Sequence, residues 1–101
     1  MGANTVVMKL GDQGCLLVEA TRHTLIPAPE VDAVDTTAAG DVFNAGLAVA
    51  LGEGASITEA CRFAVIASAL SVTRLGTQIA VPSRTEVDDF ASLLTRRNTA
   101  P

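Results

Sequence analysis

Two carboxylates, Asp35 and Asp41, bracket five compact residues, Thr36-Thr37-Ala38-Ala39-Gly40. A ligand can approach such a backbone closely, and a glycine within it accepts dihedrals that other residues avoid. Beyond the second carboxylate, Val42, Phe43, Gly46, Leu47, Ala50 and Leu51 recur at helical spacing, which predicts a helix from about Gly40 to Leu51. Gly40 and Asp41 then stand at a helix N-terminus, whose orphan N–H groups and dipole favour an anion. The chemistry on offer is a phosphate cradle with a carboxylate beside it. Taken alone, Asp41 reads as a helix cap, a common role for Asp.

A second candidate lies near the start. Lys9-Leu10-Gly11-Asp12-Gln13-Gly14 places two glycines in a turn, where a backbone could pass close to a ribose or phosphate. On spacing alone an ordinary strand-to-strand turn is the better reading. The three-glycine dinucleotide fingerprint is missing, and no G-x-x-x-x-G-K-[ST] phosphate loop occurs anywhere. The one histidine, His23, has no Cys, Asp or Glu at ligand spacing and reads as a surface residue. Ser68, Ser71 and Ser83 lack a local His partner, so a Ser-His-Asp hydrolase has no support.

The elements that must hold these residues are short. Thr5–Leu10 reads as a strand, apolar at most positions and therefore expected to be central and parallel. Cys15–Ala20 is a second strand. Thr21-Arg22 could close a hairpin onto His23–Pro27, with Pro27 and Pro29 pointing to a sheet edge. After the helix that stops at Gly52 and Gly54, Ser56-Ile57-Thr58-Glu59 forms a capping box for a helix to about Val72. That helix carries a small-residue face of Ile57, Ala60, Cys61, Ala64, Ala67, Ser68 and Ser71. Ser83–Glu86 is a second capping box, and Val87, Phe90, Leu93 and Leu94 mark the buried side of a last helix.

Length and composition bound the answer. At 101 residues the chain is at most one small domain, with 49% hydrophobic residues but only three Phe and no Trp or Tyr. The core must be aliphatic and rich in alanine. The formal net charge is −4 and no basic cluster exists beyond Arg96-Arg97, which gives nucleic-acid binding little support. No apolar run is long enough to span a bilayer. Cys15 and Cys61 show no metal spacing and sit in apolar runs, so buried free thiols in a reducing cytoplasm are expected.

The string Asp35–Asp41 resembles the signature of the ribokinase-type carbohydrate kinases, D-T-x-A-A-G-D or D-T-x-G-A-G-D. Val42–Gly46, Glu59–Ala64, Ser71–Gln78 and Lys9–Gly14 resemble the same family. The likeness runs from about Val6 to Leu94 and matches only the C-terminal portion of such kinases. It implies an α/β fold: the C-terminal part of a three-layer α/β/α architecture, strands first and then three helices. Residues 1–101 are read as one partial domain, the nucleotide-binding and catalytic portion.

The resemblance further implies ATP-dependent phosphorylation of a sugar hydroxyl, with Mg2+ on the nucleotide phosphates. D-Ribose, giving ribose 5-phosphate, is the leading substrate, because Asp35–Gly46 and Ser71–Gln78 look closer to ribokinases than to nucleoside or fructose-phosphate kinases. Asp41 becomes the catalytic base that also meets the substrate hydroxyl, and Ala38, Ala39 and Gly40 the anion hole. Lys9, Leu10, Gly11, Asp12, Gln13, Gly14, Gly40, Asp41 and Val65 become nucleotide contacts. Asp35 would bind a monovalent cation, K+, with main-chain oxygens of Thr37, Ser71, Arg74 and Gly76. Oxygen-only ligation suits such a cation, but Ala80 stands where the family supplies a serine oxygen. Two other readings remain: a non-catalytic nucleotide- or anion-binding module, and a partner-dependent fragment prone to self-association.

Overall fold

The computed structural model describes residues 5–36, 38–73 and 82–99. Three strands come first, β1 (Thr5–Lys9), β2 (Cys15–Glu19) and β3 (His23–Ile26). Three helices follow, α1 (Ala39–Gly52), α2 (Ile57–Val72) and α3 (Arg84–Thr99). The strands form one sheet in the order β1-β2-β3.

Among the described residues the first strand does not take the expected central, parallel placement. β1 runs antiparallel to β2, with Val7 opposite Leu17 and Lys9 opposite Cys15, and is an edge strand among the described residues. The reason is the length of the connection. A single turn of 3-10 helix, Gly11–Gln13, joins the two strands, whereas a parallel neighbour needs a crossover of about a dozen residues or more. Gly14 completes the reversal at φ 103°. A Cβ there would collide with the Ile26 carbonyl oxygen and approach the Ala28 nitrogen to 2.7 Å, so the position admits only glycine.

β3 is the other edge among the described residues, as the prolines predict. The hairpin before it turns at Ala20-Thr21 rather than Thr21-Arg22: Val18 faces His23, and Glu19 N–H donates to Arg22 O at 2.9 Å. No non-glycine residue has a positive φ among the described residues, so this turn does without the primed conformations that glycine favours.

The helix ends are locally encoded. Gly54, at φ 91°, closes α1: Gly54 N–H donates to Leu51 O and Ala55 N–H to Ala50 O, the paired bonds of a Schellman motif. Ser56 Oγ accepts the Glu59 N–H at 3.2 Å and starts α2. Both arms of the second capping box form, Glu86 N–H to Ser83 Oγ at 3.1 Å and Ser83 N–H to Glu86 Oε1 at 3.0 Å.

Packing follows residue size. Gly46 on α1 looks onto the Cα of Ala64, 3.5 Å from where its own Cβ would be, so the two helices can approach closely. One apolar cluster joins the sheet to the helices through Cys15, Leu17, Ile26, Phe43, Cys61, Ala64 and Val65. A second joins α1, α2 and α3 through Val42, Ala50, Ala60, Phe63, Ala67 and Val87. Arg84 caps this second cluster, its guanidinium 4.4 Å from the Phe63 ring centroid and 3.1 Å from Glu53 Oε1. Both cysteines are free and buried, as expected. No helix among the described residues is long and apolar enough to cross a membrane.

Candidate active site

The end of β1, the turn that follows it and the start of α1 converge on one cavity of about 750 Å³. Lys9, Gly11, Asp12 and Gly14 form one wall, and Ala39, Gly40 and Phe43 another. Val65, Ser68, Ala69 and Val72 of α2 close the floor, and the segment from Ala28 to Ala33 borders the side. Two stretches about thirty residues apart in sequence are therefore brought together. The cavity mixes apolar walls with a few polar groups, the usual make-up of a small-molecule site.

Local structure fixes each wall. Leu10 N–H donates to Gly14 O at 2.9 Å and Gln13 N–H to Leu10 O at 3.2 Å, which locks the glycine turn. Ala28 N–H reaches back to Gln13 O at 3.3 Å and ties the border segment to the same turn. On the opposite wall, Ser68 Oγ donates to Ala39 O at 3.1 Å and pins the first turn of α1 to α2.

The sequence-predicted residues divide as follows. Lys9, Gly11, Asp12, Gly14, Ala39, Gly40 and Val65 line the cavity. Leu10 and Gln13 serve its turn but do not line it. Ala38 is the residue before α1, and Asp41 stands exposed on the first turn, next in sequence to the lining Gly40. Helix α1 starts at Ala39, one residue earlier than the spacing predicts. The Ala39 N–H is engaged by Thr36 O at 3.2 Å, while Gly40, second in the helix, belongs to the turn whose N–H groups have no partner within the helix itself.

The cation residues are partly placed. Val34 and Asp35 N–H groups both donate to Val72 O, at 2.6 and 3.0 Å, so the Asp35 loop is fastened to the C-terminal end of α2 where Ser71 lies. Ser71 Oγ itself donates to Ser68 O at 2.7 Å. Thr37, Arg74, Gly76 and Ala80 lie outside the described residues.

Sequence reasoning missed three participants. Ser68 reads as one more small residue on a packing face. The Ala28–Ala33 border reads as a plain connection. Asn44 enters the sequence reading only within the Val42–Gly46 likeness and carries no role there, although it lies one turn past Gly40 and hence on the same helix face. Its Oδ1 accepts from Lys9 Nζ at 3.2 Å, across 35 residues of sequence.

Comparison with known proteins gives this geometry a context. The family described as pfkB family carbohydrate kinase matches residues 1–84, ending at the first residue of α3. Ribokinase of Bacillus subtilis is 48% identical over 82 residues, covering 81% of this chain and 28% of that protein. The crystal structure of ribokinase from Thermotoga maritima superposes with a TM-score of 0.81 at 52% identity, covering 90% of this chain and 31% of that one. Arabidopsis thaliana ribokinase, solved in complex with ribose and ATP, gives a TM-score of 0.78 at 37% identity, with 88% and 29% covered. The chain thus spans less than a third of the length of these relatives. Its strands-then-helices order is a partial ribokinase-like α/β fold, and the chain belongs to the pfkB family of carbohydrate kinases.

Proposed function

We propose that the chain supplies the phosphate-binding and catalytic part of an ATP-dependent sugar kinase acting most readily on D-ribose, with ribose 5-phosphate as product. The observation that carries this reading is the convergence of the Lys9–Gly14 turn and the Ala39–Gly40 helix start on one cavity, with Asp41 on the next helical position. A transferring phosphoryl group needs positioning and charge neutralisation more than covalent help. Backbone N–H groups of Ala38, Ala39 and Gly40 would take its oxygens. Asp41 would accept the sugar hydroxyl's proton, a weak base being adequate where the proton moves late in a loose transition state. The 3.2 Å Ala39–Thr36 bond is long, so exchanging it for a charged phosphate oxygen costs little.

The glycine turn and Val65 would hold the nucleotide, and Mg2+ would neutralise its phosphates. The relatives' ribose and ATP support this choice of ligands. For K+, the residues present fit by chemistry. Asp35 brings a carboxylate to the C-terminal end of α2, the negative end of a helix dipole, where a cation is favoured. When bound, the ion would fix the loop between Asp35 and the anion hole. Asp35→Ala should therefore abolish any potassium dependence of nucleotide affinity, and equal affinity with and without K+ in the unaltered chain would remove the site. Two buried free thiols fit a cytoplasmic setting.

Titration of the chain with ATP tests the nucleotide half of the reading, and no binding at millimolar ATP refutes it. A second reading, a partner-dependent fragment with no activity of its own, is favoured by the uncovered apolar face of the sheet, where Val6, Met8 and Leu25 are exposed.

A further inference from the structure

The Lys9 ammonium sits where fold stability alone would not put it. Lys9 is the only lysine of the chain. It ends β1 opposite Cys15, on the face of the sheet that looks toward the helices. Its Nζ lies 3.9 Å from where a Cβ on Gly40 would be, over the first turn of α1. That is the positive end of the helix dipole, which repels a cation. No carboxylate is within ion-pair range of Lys9 among the described residues. One contact holds it there, the 3.2 Å bond to Asn44 Oδ1. An ammonium carries three donors and no acceptor, so the amide must present its oxygen, and two donors are left for other partners. An anion between Lys9 and Gly40 would turn the repulsion into attraction from both sides.

We infer that Asn44 is a positioning residue: its side-chain oxygen holds the Lys9 ammonium over the start of α1, where that cation contacts the terminal phosphates of the nucleotide. The inference rests on the nucleotide reading of the cavity and adds to it a device that senses phosphate number. Adenosine, which has no phosphate, gains nothing from Lys9. ATP gains a charge-assisted contact whose geometry depends on Asn44.

The test is calorimetric titration of the chain with ATP, ADP and adenosine, using Lys9→Met, Asn44→Ala and the double variant. Both side chains are exposed, so circular dichroism should show the fold intact in each. Lys9→Met should weaken ATP about tenfold or more, the usual scale of a hydrogen bond to a charged group, and leave adenosine unchanged. Asn44→Ala should weaken ATP about three- to tenfold by the same reasoning, ADP less, and should cost nothing further once Lys9 is gone. Such non-additivity separates positioning from a merely structural role. A chain that binds neither ATP nor adenosine refutes the nucleotide reading and this inference with it. ATP binding that is unchanged in Lys9→Met overturns the inference alone. So does an Asn44→Ala loss of equal size with and without Lys9, or a wild-type affinity for adenosine equal to that for ATP.

Discussion

Cys15, Leu17 and Ile26 point from the sheet toward the helices and are 0%, 0% and 5% exposed. Their outward counterparts Val6, Met8 and Leu25 are no less apolar, yet 48%, 49% and 58% exposed. The register makes the outer row continuous, since Met8 pairs with Leu16 and Leu16 with Leu25. Strands apolar on both faces are the pattern of a sheet covered on both sides. Here the helices cover one face, and nothing among the described residues covers the other. The cavity belongs to the covered side. Its walls are fixed by hydrogen bonds within the chain, so the geometry of the cavity is local. The outer face and the outer edge of β1 find neither cover nor partner among the described residues.

The largest effect that separates the two sides is catalytic. In a chain extended by the part its relatives carry outside the match, Asp41→Asn should lower turnover by at least ~100-fold, because general-base action and placement of the hydroxyl are both lost. ATP affinity and oligomeric state should stay near wild type, since Asp41 is exposed on α1 and takes no part in the sheet. Turnover within a few-fold of wild type would remove Asp41 from the base role.

Stability should split between the faces in the same way. Leu17→Ala empties a fully buried position and should cost ~2–5 kcal/mol, enough to unfold much of a small domain. Leu25→Thr, eight residues on but facing outward, should change stability by no more than ~0.5 kcal/mol. Urea unfolding of both variants, at a dilution where light scattering shows a monomer, measures the pair, and equal losses there would mean that the outer face is covered within the single chain.

Association is the next, smaller handle. The free β1 edge and the apolar row beside it invite pairing with another copy. The chain should therefore show a mass above that of a monomer by light scattering and lack ribose kinase activity alone. Met8→Lys together with Leu25→Lys should shift it toward monomer without changing ATP affinity. A wild-type chain that is monomeric and phosphorylates ribose at an ordinary enzyme rate would show the active site complete as it stands.

Some of this was legible in the sequence for local reasons. Ser56, Ser83 and Gly54 each encode a helix boundary through bonds within a few residues, and α2 ends at Val72 as predicted. Asp35–Asp41 and Lys9–Gly14 could be singled out because small residues and glycines mark close backbone approach. An apolar run reports burial and says nothing about pairing; the antiparallel β1–β2 pair is set by the five-residue link from Leu10 to Gly14. Asn44 and Ser68 escaped because a polar residue on a helix is solvated as often as it is engaged. Only the tertiary approach of β1 to α1, and of α2 to Ala39, tells the two cases apart.

The smallest effect lies beneath the covered face. Cys15 and Cys61 are both fully buried and belong to the same apolar cluster. Burial raises both, and with the added repulsion from Cys15 the Cys61 thiol is pushed up to about 11 from an ordinary 9.0. The folded state then holds these protons more tightly than the unfolded chain does. The stability this contributes is fully present below pH 9.0 and is lost as pH rises toward about 11, where the folded thiol also ionises. The chain has no tyrosine and a single lysine, so little else titrates in that window. The urea midpoint should decline across it, and Cys61→Ala should flatten the decline while lowering stability throughout by the loss of a packed side chain. Alkylation supplies the sharper contrast between the faces. At pH 8 iodoacetamide should label the two cysteines only at the rate of unfolding, because the native thiols are neutral and enclosed. Fast labelling of the folded chain would mean that the helix-covered face opens as readily as the exposed outer face, and the distinction between the two would be lost.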